Sequence, residues 1–181
     1  MELGAKSKVG SPYSTATRLL ERLAKQVTRL MSYVGMGALI IAIAVVIGDI
    51  IWRRIGGRSF IGAVDLTQFS VMAAASWSIP YAFAHQNHVT VDLLGGLFSQ
   101  RGLRLLDALA ALIGAGITGF LLWLTYGRAM QIWDYGDVSQ DLALPMIAYW
   151  SFLISGLAVS VIVCLINVLI FLTPMDKSND E

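Results

Sequence analysis

Cysteine is almost missing from this chain: Cys164 is the only one in 181 residues, so neither an intrachain disulfide nor a cysteine-based zinc site can form. Its place in the last apolar run makes it a small packing residue. Histidine is nearly as scarce, with His85 and His88 alone, and from adjacent turns of one helix they cannot clamp a single haem iron. Centres built from several imidazoles are excluded with it. Charge is short as well. Charged residues make up 14% of the chain, where soluble proteins carry about a quarter. The net charge of +1 leaves no electrostatic footprint for nucleic acid, and the basic residues do not alternate with exposed aromatics as a strand-binding groove requires. Neither a cofactor nor enzymatic activity is expected.

What is abundant is apolar. Hydrophobic residues make up 56% of the chain and mean hydropathy is +0.68, and runs near the roughly 20 residues that a spanning helix needs recur with charges gathered between them. The fold class is an all-α membrane protein forming one membrane domain. It has four transmembrane helices, an N-terminal amphipathic interfacial helix, and a short interfacial helix between spans two and three. The first apolar run is too long for a signal-peptide core and is followed by Trp52, Arg53 and Arg54 instead of small residues, so it stays in the mature protein.

Residues 1–13 mix Gly, Ser, Lys and Pro and are expected to be disordered. Over 14–29, Leu19, Leu20, Leu23, Val27 and Leu30 fall on one helical arc and Arg18, Arg22, Lys25 and Arg29 on the other, the pattern of a helix lying in the membrane interface. A solvated extension of the first span is the competing reading. That span covers about residues 30–53 and ends in an interfacial tryptophan and a snorkelling arginine pair. Asp49 is its one ionisable residue, and near a span end it can pair with an arginine or reach headgroups. The glycine-rich link Gly56-Gly57-Arg58 to Gly62 is a turn. The second span, 65–85, is rich in Ser, Thr and Gln and contains Pro80; it should face protein more than lipid. Asp65, at its start, is expected to accept from Arg58 or to cap the helix.

Residues 89–98 are too short and too broken by glycine to cross, which makes them a surface helix. His88 and Asp92 would share its face as an ion pair or a cap. The third span, 105–127, carries Ala111, Ala115 and Gly119 at i+4 steps, a stripe that lets another helix approach closely. A polar loop with Asp134, Asp137, Ser139 and Asp141 precedes the fourth span, 145–172, and a polar tail covers 173–181. With four crossings, Lys6, Lys8, Arg18, Arg22, Lys25, Arg29, Arg101, Arg104 and Lys177 lie on the side of the termini. Arg53, Arg54, Arg58 and Arg128 lie on the other. The positive-inside rule places both termini in the cytoplasm.

The segment from Asp65 to His88-Val89-Thr90-Val91-Asp92-Leu93-Leu94, the dibasic end of the first span, and Leu142-Ala143-Leu144-Pro145 before the last span together resemble the small membrane subunit of TRAP transporters. These are tripartite, ATP-independent periplasmic uptake systems. The family commonly has glutamate where this chain has Asp65, an aromatic at Ala73, glycine at Ser78, and arginine where Ala84 and His85 stand. The resemblance implies a bacterial inner-membrane location and two partners besides membrane lipid: a large elevator-type membrane subunit that holds substrate and sodium, and a periplasmic binding protein that delivers an acidic solute. It also implies a bracing role for the small subunit. Asp49, Arg54, Arg58, Asp65, His88, Asp92, Ala111, Ala115 and Gly119 are, on their own placement, the candidate structural or partner-contacting residues. Two other readings compete. A small proton-coupled exporter would use Asp49 as its carrier, and a respiratory-enzyme anchor would need the haem ligation that the histidines do not supply.

Overall fold

The computed structural model describes residues 15–85 and 100–172, and these form four helices with no strand among the described residues. They are α1 (Thr15–Gly56), α2 (Ala63–His85), α3 (Gln100–Tyr135) and α4 (Ile147–Leu172). Three of them contain stretches long and apolar enough to cross a membrane: Leu19–Gly56, Leu105–Tyr135 and Ile147–Phe171.

The interfacial segment and the first span, expected as two elements, are one helix of 42 residues, about 63 Å long at 1.5 Å per residue. No break separates them near residue 30. Within 19–30 the apolar arc of Leu19, Leu20, Leu23, Val27 and Leu30 is exposed, while Thr28 is fully buried, with its hydroxyl donating to the Ala24 carbonyl at 2.8 Å. Lys25 pairs with Glu21 at 2.6 Å. The oily side of this segment therefore faces away from the rest of the chain.

α2 lacks a stretch as apolar as those in the other three helices, and its position explains why. α1 and α4 both pack against it, α3 packs against α4, and α1 touches α4 only lightly. The helices thus stand in a row with α2 and α4 in the middle. The buried residues of α2 are Ala63, Asp65, Ser70, Ala73, Ala74, Ser76, Pro80 and Ala84, nearly all small, which lets backbones approach closely. α2 passes through Pro80 and continues to His85. Because proline has no N–H, the Ser76 carbonyl loses its partner one turn back.

α3 runs well past the expected end at 127. It stops where Gly136 adopts a φ of 66°, donating to the Trp133 carbonyl at 3.2 Å while Asp137 donates to the Ile132 carbonyl at 3.4 Å. This is a glycine-terminated Schellman cap. Pro145, expected to open the fourth span, belongs to the loop, and α4 begins two residues later. The surface helix at 89–98, with His88 and Asp92, lies outside the described residues, as do the expected disordered start and the tail at 173–181.

Candidate functional site

Two carboxylates organise the two described loops. Asp49 stands one turn before Arg53 on α1, so an i,i+4 ion pair forms at 2.7 Å. The other carboxylate oxygen accepts from the Ser59 hydroxyl at 2.7 Å and the Phe60 backbone N–H at 2.8 Å, and Arg53 also donates to Ser59 at 3.1 Å. The side chain therefore pins the loop 57–62 back onto the helix that precedes it. This is the arginine pairing expected for Asp49, with a loop anchor added.

Asp65 does something different from either expected role. One carboxylate oxygen accepts from the Ser139 hydroxyl at 2.6 Å, from Leu142 N–H at 2.7 Å and from Asp141 N–H at 3.1 Å, and the residue is only 2% exposed. Its partners thus come from the α3–α4 loop, not from Arg58 or its own helix end. Ser139 relays the arrangement by accepting from Leu144 N–H at 3.0 Å. A short antiparallel pairing closes the loop around it, with Ser139 N–H donating to Leu144 O and Met146 N–H to Asp137 O. Tyr149 at the start of α4 donates to the Asp65 carbonyl at 3.2 Å. Leu142 then seats on Gly62, where a β-carbon would stand 2.7 Å from the leucine side chain and where φ is +86°. Glycine is required there twice over.

The row of helices is held by close crossings that the sequence did not reveal. At Gly156 of α4 a β-carbon would run into the Ser76 carbonyl, 2.8 Å from its carbon. This is the same carbonyl that Pro80 leaves unpaired, so the backbones of α2 and α4 meet where α2 has a free acceptor. Beside it Trp77 donates its indole N–H to Ser155 at 3.0 Å, and Phe152 stands edge-on to both Phe69 and Trp77. Asn167 donates to the Phe83 carbonyl at 3.1 Å. On the other side of α2, Gly35 of α1 comes so near Ala74 that an added β-carbon would stand 3.2 Å from the Ala74 carbonyl oxygen.

The expected stripe on α3 divides. Ala115 is buried on the side where α3 packs against α4, with Ala108, Thr118, Thr125 and Ala129 buried too. Ala111 is half-buried, and Gly119 has open space where a β-carbon would be. Arg54 and Arg58 are exposed and belong to neither carboxylate cluster. Arg54 instead borders a groove of about 870 Å³ between the end of α1 and the start of α2. Among the described residues no group of His, Cys, Asp and Glu is arranged to hold a metal ion.

Residues 42–173 match the family described as tripartite ATP-independent periplasmic transporters, DctQ component. The chain belongs to the DctQ family. No curated protein and no solved structure matches it. The DctQ match runs from the middle of α1 to the end of α4, so it takes in both carboxylate anchors and the crossings of α2 with α4. A DctQ chain is a component of a transporter, not an enzyme. Ser139, Tyr149, Ser59 and Gly62 had no local signal beyond their loops' composition; the Leu142-Ala143-Leu144-Pro145 segment, which carries part of the resemblance, was the nearest pointer to the Asp65 anchor.

Proposed function

We propose that this chain is the small permease subunit of a sodium-coupled TRAP uptake system for an organic acid. It braces the large elevator-type subunit and adds to the surface on which the periplasmic binding protein docks. The chain crosses the inner membrane four times, α2 being the crossing shielded by its neighbours, with both termini in the cytoplasm. The two anchored loops then face the periplasm.

The observation that carries the bracing role is how the intramembrane hydroxyls are spent. Ser78, Thr118, Ser151 and Ser160 each donate to a carbonyl of their own helix, and Ser155 does so while accepting from Trp77. A solute path needs polar side chains that converge on the solute and broken helices that expose backbone. Here these hydroxyls satisfy their own helices, with the Ser76 hydroxyl the one buried side-chain group among the described residues left without a partner, and α2 stays helical through Pro80. Branched apolar side chains cover the outer faces of α1 and α3, among them Ile40, Ile43, Ile47, Leu112, Ile113 and Ile117. Such faces suit lipid and a large neighbour.

The test is reconstitution. The chain alone in liposomes should be silent, and sodium-driven uptake of an organic acid should require the large subunit and the binding protein together. Uptake by the isolated chain would overturn the proposal. So would full uptake by the large subunit and binding protein without this chain.

A further inference from the structure

The groove between the C-terminal end of α1 and the start of α2 is absorbed by neither the bracing role nor the loop anchors. Its lining is mostly apolar, with Val46, Ile50, Ile51 and Val64 among it, and the polar residues on it are Asp49, Arg53, Arg54, Thr67 and Gln68. Its volume, about 870 Å³, is within the range of sites for small amphipathic molecules. We propose that it is a phospholipid site. The phosphodiester sits at Arg54 with Arg53 beside it, and one acyl chain lies against Val46 and Ile50.

Three features favour a lipid over a protein occupant. The first is charge. Arg53 is already paired with Asp49 at 2.7 Å, while Arg54 carries a full positive charge with no carboxylate partner among the described residues. A guanidinium fork suits a phosphate oxygen pair. The second is depth. From Val46 to Arg54 the helix rises about 12 Å, which places the cation at headgroup level and the isoleucines beneath it in the acyl region. The exposed Trp52 marks the same level as an interfacial anchor. The third is wall shape. A neighbouring helix approaches through small residues, but Ile50, Ile51 and Val64 project into the open here, each more than half exposed. Gln68, also on the wall, offers an amide that can reach ester oxygens. With one uncompensated cation, the site should prefer an anionic headgroup to a zwitterionic one.

The experiment is native mass spectrometry of the full chain in detergent, with phosphatidylglycerol or phosphatidylcholine of identical acyl chains added. Phosphatidylglycerol should be retained about fivefold better, the effect of one cation near a membrane surface. Arg54→Gln should erase that preference, while Arg128→Gln, on the exposed end of α3, should leave it intact. A photoreactive benzoylphenylalanine replacing Val64 in native membranes, with the whole transporter present, should give an adduct of lipid mass. Equal retention of the two lipids by the unsubstituted chain, an Arg54→Gln chain that behaves as unsubstituted, or equal losses from Arg54→Gln and Arg128→Gln would each overturn the site. A Val64 adduct of protein mass would overturn it too, and would give the groove to a protein partner. The lipid-retention outcomes use this chain alone and so do not depend on whether it braces a larger subunit.

Discussion

Gly156→Ala adds one methyl group at the point where α2 and α4 come nearest. The new β-carbon would overlap the Ser76 carbonyl, 2.8 Å from its carbon, and backbone cannot rotate aside as a side chain can. The helices must separate. Overpacking of this kind costs about 1–3 kcal/mol, and the obstructing backbone puts this site at the upper end. Separation also loosens the edge-on contacts of Phe152 with Phe69 and Trp77, whose ring centroids lie 4.8 and 5.2 Å apart; each such pair contributes about 0.5–1.5 kcal/mol. Against this, alanine is the better helix former by about 1 kcal/mol. The net loss should be about 2 kcal/mol, a shift of roughly thirtyfold in the folded-to-unfolded ratio. It can be read from the midpoint of an SDS titration in mixed micelles, followed by tryptophan fluorescence. Gly119→Ala is the matched control, since no atom lies within 4 Å of its β-carbon position; it should be neutral or gain up to about 1 kcal/mol. Equal midpoints for Gly156→Ala and the unsubstituted chain would refute the close crossing. A large loss from Gly119→Ala would refute the assignment of the α3 contact face.

Other substitutions test the loops and the crossing separately. Ser76→Ala removes a buried hydroxyl that has no hydrogen-bond partner and should raise stability by about 1 kcal/mol in the same titration; a loss would mean the hydroxyl is bonded. Asp65→Ala should deprive three donors of the 137–146 loop of their common acceptor, seen as faster backbone hydrogen exchange at Asp141 and Leu142 and earlier proteolysis in that loop, with helix content unchanged. Gly62→Ala should do the same from the other side, by forcing Leu142 off its seat and straining a positive φ; unchanged exchange in both variants would sink the docking of this loop on α2. Asp49→Ala should lower the yield of assembled protein while leaving the sodium dependence of uptake unshifted, whereas a shifted dependence at normal yield would make Asp49 part of ion coupling.

How much of this was legible in the sequence depended on whether a feature was local. The helices read well, since long apolar runs mark three of them directly, and the limits of α2 fall within two residues of those expected. α3 overran because residues 128–135 are polar enough to read as loop, yet nothing stops the helix before Gly136. The joining of 14–29 to the first span has a similar cause: an amphipathic helix and an apolar helix have different faces but the same backbone. Asp49 was partly legible, since Arg53 lies one turn away, while its hold on Ser59 and Phe60 depends on the path of the turn. Asp65 was not legible, because its donors lie more than seventy residues further along the chain and only the fold brings them near. The small-residue stripe on α3 was visible, but small residues alone do not say which helix they admit. Ala115 packs within the chain, and Gly119 faces open space.

The two carboxylates and the unpaired carbonyl of Ser76 bear on one question, how a row of helices stays fixed without a closed core. A bundle shields its middle on every side, whereas among the described residues α2 and α4 sit mainly between two neighbours each, so apolar burial is limited and many apolar side chains stay exposed. In hydrocarbon there is little hydrophobic drive between helices, and close backbone approach with satisfied polar groups must hold them. Gly156 supplies the close approach, at the Ser76 carbonyl, while Asn167 donating to the Phe83 carbonyl and Trp77 donating to Ser155 are the satisfied polar contacts. Beyond the helix ends, carboxylates anchor the connecting loops instead. Asp65 ties the α3–α4 connection to the start of α2, and Tyr149 ties α4 to the same turn, so the middle pair of the row is locked at its end as well as along its length. Under the proposed bracing role, that stiffness matters more than a deep core, because the face offered to a larger subunit would have to stay constant.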